Sequence, residues 1–117
     1  MKYPHLEGPL RTLLLKYRDI PFREWERMHG ERRQFHDYSS TLPEHEGFWQ
    51  AHTDVLEVEI FRDGRRYANV SITMYPKGIH SVPPAPHAGF LCFEDGTCDV
   101  GTPWSEDYVY TQPRSEG

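Results

Sequence analysis

The chain lacks any apolar run approaching the roughly eighteen residues that a membrane helix requires, and its mean hydropathy is −0.76. The opening Met1-Lys2-Tyr3-Pro4-His5-Leu6-Glu7 has no apolar leader, so the sequence predicts a cytoplasmic protein. Positive charge is in deficit. The net charge is −5 and the pI about 5.8, which argues against a general nucleic-acid coat. Cysteine occurs only at Cys92 and Cys98. There is no HExxH, paired CxxC or calcium-loop pattern, and no GxSxG elbow, phosphate loop or dinucleotide fingerprint. These absences remove the common metal, nucleotide and hydrolase templates. With 117 residues there is room for one modest core and no second.

What is present is a folding composition, 37% hydrophobic and 14% aromatic, too rich in rings for a disordered chain. Charge is unevenly placed. Residues 1–39 hold eight Lys or Arg against six Asp or Glu, while residues 40–117 hold five against twelve. The acidic portion suits a basic partner, although scattered acids also simply keep a small domain soluble.

The first third reads as helix. Gly8-Pro9 suits a start, and Leu10, Leu13, Leu14 and Tyr17 form one stripe at helical spacing. Ile20-Pro21 stops this helix, and a second begins at Pro21 with Phe22, Trp25 and Met28 or His29 inward. Gly30 ends or bends it, and Glu31 to Asp37 are expected to continue helical. Ser39-Ser40-Thr41-Leu42-Pro43 is a break.

The remainder reads as antiparallel strands. Leu56, Val58 and Ile60 alternate with polar neighbours, as do Ala68, Val70, Ile72 and Met74, on either side of Arg62-Asp63-Gly64. A three-residue loop with Gly64 left-handed sets Ile60 opposite Arg66, Val58 opposite Ala68 and Leu56 opposite Val70. That register puts the aliphatics on one face, whereas a two-residue loop mixes the faces. Glu94-Asp95-Gly96 repeats the device and sets Cys92 opposite Cys98 and Phe90 opposite Val100. The two thiols then neighbour each other, close enough for a disulfide, although a cytoplasmic setting favours reduced thiols in the core. The fifteen residues from Tyr75 to Gly89 are long for a connector, with Pro83-Pro84-Ala85-Pro86 extended. Thr102-Pro103-Trp104-Ser105 reads as a turn and Tyr108-Val109-Tyr110 as an edge strand.

The seven histidines include three pairs spaced by seven residues: His29/His36, His45/His52 and His80/His87. Imidazoles seven apart on a helix are separated by roughly 10 Å, so a metal centre needs ligands brought together from several segments. Otherwise they are ordinary surface groups titrating near neutrality. Arg62, Arg65 and Arg66 crowd one hairpin tip, where they grip an anion or merely guard a sheet edge.

The sequence therefore predicts one domain, 1–117, of the α+β class. N-terminal helices (1–39) pack on a four- or five-stranded antiparallel sheet built from two hairpins (53–111), and residues 112–117 are frayed. The expected core is Leu10, Leu13, Leu14, Tyr17, Phe22, Trp25, Leu56, Val58, Ile60, Val70, Ile72, Phe90 and Val100. By elimination, the expected function is a small intracellular protein that binds a protein partner through its surface, as an inhibitor or immunity-type protein. It acts as monomer or homodimer, away from membranes and without a favoured cofactor. The partner-binding set is Phe61, Arg62, Arg65, Arg66, Tyr67, Trp49 and Trp104, types that dominate interface energetics. The alternative is a small hydrolytic or proton-transfer enzyme built on His80, His87, His45 and His52. In its metal-assisted version, zinc or another transition metal takes ligands from His45, His52, His80, His87, Glu44 and Glu46. A second alternative is nucleotide or nucleic-acid recognition by the arginine tip.

Overall fold

The apolar stripe of the first helix is buried as spaced: Leu10, Leu13, Leu14 and Tyr17 all point inward from α1, Glu7–Tyr17. The computed structural model describes residues 4–39, 48–76, 86–100 and 108–109. A 3-10 turn, Pro4–Leu6, precedes α1, so the helix begins just before Gly8-Pro9. The second helix, α2, covers Phe22–Glu31, with Pro21 extended at its N-cap (ψ 153°) and Phe22, Trp25 and Met28 buried. It runs through Gly30 and ends where Arg32 turns left-handed (φ 56°) and donates its N–H to His29 and Met28.

That left-handed turn overturns the expectation that Glu31 to Asp37 stay helical. The chain reverses into strand β1, Phe35–Tyr38, whose alternation suits a strand at a sheet edge. Phe35 is drawn inward, stacked on Tyr17 at 4.8 Å and edge-on to Trp25 at 5.8 Å. Asp37, on the same side, accepts a hydrogen bond from the Tyr17 hydroxyl and pairs with Lys16 at 3.0 Å. Helix α1 is thereby fastened to β1.

Five strands form an antiparallel sheet in chain order: β1, then β2 (Trp49–Ile60), β3 (Arg66–Pro76), β4 (His87–Phe93) and β5 (Cys98–Val100). A short β6, Tyr108–Val109, lies parallel to β4 beside His87 and Ala88. The sheet thus includes a strand ahead of the two expected hairpins and starts at Phe35 rather than 53. Both helices lie on one face and share its core with Ala51, Ala68, Val70, Ile72, Met74, Ala88, Phe90 and Cys92. The fold is α+β, helices on an antiparallel sheet.

Two corners are built alike. Gly64 and Gly96 both take φ +92°, the left-handed region that favours glycine. In each corner an aspartate side chain accepts the N–H two residues on, from Arg65 to Asp63 and from Thr97 to Asp95, both at 3.0 Å. Ile60 lies opposite Arg66, Val58 opposite Ala68, Cys92 opposite Cys98 and Phe90 opposite Val100. The two cysteines form no disulfide with each other, and their sulfurs donate to the carbonyls of Ile20 and Arg18 in the link between the helices.

Two expected core residues are corrected. A bulge between Val55 and Glu57 sets Val55, not Leu56, opposite Val70, because the extra residue shifts the alternation by one. Leu56 is 53% exposed and Ile60, near the hairpin tip, 70% exposed, while Val58 is only partly buried. The turn expected at Thr102–Ser105, most of the 75–89 connector and the tail 112–117 lie outside the described residues.

Candidate functional site

On the face turned from the helices, side chains fall into transverse rows fixed by the strand register. Glu59, Tyr67 and Phe93 form one row; Glu57, Asn69, Leu91 and Asp99 another. Further along come Asp54, Ser71 and Gly89, then His36, His52, Thr73 and His87. Two clusters stand out: rings with arginines at the hairpin tips, and imidazoles at the other end.

At the tips, Phe61, Tyr67 and Phe93 meet with centroid separations of 5.2 to 5.9 Å. Such pairs contribute about 0.5–1.5 kcal/mol beyond the area they bury. The Tyr67 hydroxyl donates to Glu57 at 3.3 Å, and burial followed by that carboxylate pushes its pKa upward. Arg65 lies 3.9 Å over the Phe93 ring and pairs with Asp63 at 2.7 Å and Asp95 at 3.0 Å. It therefore clasps the two corners together. Arg66 pairs with Glu26 on α2 and covers the Phe22 ring, while its N–H donates to the Glu94 carboxylate at 3.1 Å. Arg62 lies against the Phe61 ring and, unlike the other two, has no carboxylate partner among the described residues. Arg65 and Arg66 thus meet Asp63, Asp95, Glu26 and Glu94, which offset much of the positive charge at the tip.

The clasp makes acid sensitivity predictable. Two hydrogen bonds from Thr97, then the Arg65 guanidinium, hold the Asp95 carboxyl down at about 2. The unfolded value is about 3.9. A depressed folded pKa gives stability that is complete above the unfolded value and lost as pH falls toward the folded one. Asp95→Asn should therefore be less stable than wild type near neutrality, with the gap closing between about pH 4 and pH 2. Urea unfolding midpoints across that range test it; a gap independent of pH removes the clasp as its source. The effect is small, since an exposed pair is screened by water.

At the other end of the sheet, His36 and His52 face each other across β1 and β2, ring centroids 4.4 Å apart. Tyr75 lies 5.2 Å from His52. Burial, then the neighbouring His36, lowers the His52 pKa, and burial raises those of Asp54 and Tyr75. His87 occupies the same row beyond Thr73 but is wholly buried. Among the described residues, no three His, Cys, Asp or Glu side chains converge as metal ligands.

Of the expected site residues, Phe61 and Tyr67 are brought together, Arg65 and Arg66 are tied into ion pairs, and Arg62 is exposed. Trp49 packs against the core rather than outward. His52 and His87 share a row on strands separated by β3. Trp104, His45, His80, Glu44 and Glu46 lie outside the described residues. The pairing of His36 with His52 is not evident in sequence, because a helical continuation through Asp37 matches His36 with His29 instead. Nor is the surface placement of Leu56 and Ile60.

The edge of β2 completes the picture. Strand β1 pairs only with residues 50–53, so beyond Thr53 that edge carries no strand among the described residues. A groove of about 590 Å³ runs beside it, lined by Met28, His29, Arg32, Arg33, Asp54 and Val55. No helix of the described residues is long and apolar enough to cross a membrane. Compared with protein-family models, curated proteins and solved structures, the chain matches none.

Proposed function

We propose that this protein acts by binding a protein partner, as a small inhibitor or immunity-type protein, through the far half of β2 and the hairpin tip. The observation that carries this reading is the exposure of Leu56 and Ile60 along the strand edge that no described strand covers. Exposed aliphatics on such an edge are a liability that folds usually suppress. Here they adjoin Phe61 and the uncommitted Arg62, residue types that anchor interfaces. The bulge at Leu56 interrupts the regular ladder, so the partner meets side chains rather than adding a long strand. Glu57 and Glu59 alongside, with the net charge of −5, suit a partner with basic residues at its rim. The compensated tip arginines support this reading over recognition of a nucleotide or nucleic acid.

The test is affinity capture from cell extract with the full chain, followed by reconstitution from purified components. A single protein species should be retained by wild type and by Leu15→Asp, which alters an exposed leucine on α1. Ile60→Asp should weaken the reconstituted complex by about 2 kcal/mol or more, the scale of an interface anchor. Equal binding by the Ile60 variant, or no species retained by wild type, sinks the proposal.

A further inference from the structure

We propose that His36 and His52 form a two-imidazole site for a divalent transition-metal ion of tetragonal preference, copper(II) or nickel(II). The two rings face each other from paired positions on β1 and β2, centroids 4.4 Å apart and planes inclined by 57°. With a metal–nitrogen bond of about 2.0–2.1 Å, an ion held by one nitrogen of each ring lies about 3.2 Å from both centroids. Rings 4.4 Å apart then subtend about 90° at the ion, the angle between adjacent ligands in square-planar and tetragonal sites. Tetrahedral zinc asks for about 109°, which places the centroids about 5.2 Å apart. The spacing is closer to the tetragonal arrangement than to the tetrahedral one.

The surroundings fit a cation with water completing its shell. His36 is exposed and His52 half-buried, so one ligand is anchored and the other opens to solvent. Asp54, two residues along β2 on the same face, is electrostatically coupled to His52 and offsets part of the added charge. Tyr75 and Thr73 face His52 from β3, and neither adds charge at neutral pH. The bound ion bridges a four-residue edge strand to its neighbour, so occupancy pins β1. This site lies at the opposite end of β2 from Leu56 and Ile60, and it stands or falls independently of the partner reading.

Titration calorimetry of tag-free full-length protein with copper(II), nickel(II) and zinc, near neutral pH, tests the proposal. Copper should bind at one per chain, with a nitrogen signature from two imidazoles in its electron paramagnetic resonance spectrum. His36→Asn and His52→Asn should each weaken it at least tenfold, since loss of a mere supporting partner already costs about that much. His29→Asn, on the exposed side of α2, should leave it unchanged. Hydrogen exchange in β1 should slow on loading. No uptake by wild type, or affinity unaltered in both the His36 and His52 variants, overturns the site. Zinc binding tighter than nickel overturns its tetragonal assignment.

Discussion

Trp25→Ala is expected to remove about 3–5 kcal/mol of folding stability, a large share of the roughly 5–15 kcal/mol a domain possesses. Trp25 is wholly buried and is met edge-on by Tyr17 at 6.2 Å, Phe35 at 5.8 Å and Phe90 at 5.9 Å. Those rings belong to α1, β1 and β4, so one side chain joins α2 to three other elements. The cavity left by its removal has walls on two helices and a sheet, and such walls close poorly around a void. Trp25→Phe should lose far less. The indole N–H is buried without a hydrogen-bond partner among the described residues, a burden of about 1–3 kcal/mol that phenylalanine removes while keeping most of the ring contact. Urea denaturation of the three proteins decides the matter. A loss below about 1 kcal/mol in the alanine variant would show that the aromatic cluster is not the fold's keystone.

The same cluster shows what was legible in sequence. Trp25, Tyr17 and Phe90 stand in segments long enough for periodicity to reveal, and a helical stripe or an alternating run states its inward face. Phe35 was not legible, because four residues of alternating pattern are too few to outweigh a helix-like continuation. The switch depends on Arg32 adopting a left-handed turn that glycine would ordinarily supply. Leu56 failed for a related reason. Val55 and Leu56 are both apolar, so composition cannot say which of them a bulge leaves out. Ile60 kept the pattern but lay near the strand end, where exposure depends on the reach of α2.

Site residues were legible in kind and illegible in company. The arginine tip is evident in sequence, but its compensation by Asp95 and Glu26 arises from a second corner and a helix. The histidine spacing of seven drew attention to intervals along the chain. The pair that meets, His36 and His52, is sixteen residues apart, joined only by the register of β1 on β2. Cross-strand neighbours are set by pairing, and pairing is what a single sequence states least directly.

Gly89→Ala should cost about 3 kcal/mol, the upper part of the range for forcing a methyl into a filled interior. A Cβ built at Gly89 lies 2.6 Å from the Val70 carbonyl oxygen, closer than any real contact. The obstacle is backbone rather than a movable side chain. β4 lies between β3 on one side and β5 and β6 on the other, so it has no free edge toward which to shift. Relief therefore means breaking the ladder where Gly89 lies opposite Ser71 and Phe90 opposite Val70. Gly30→Ala makes the same chemical change with the opposite expected sign. Its Cβ meets nothing within 4 Å, its position is inside α2, and alanine there gains up to about 1 kcal/mol through helix propensity and a less free unfolded chain. Comparing both variants by urea unfolding separates local space from any general effect of replacing glycine. If Gly89→Ala matched Gly30→Ala in sign, β3 and β4 would have to approach less closely than their register requires. The outward rows, including the one that holds His36 and His52, would then be spaced more loosely.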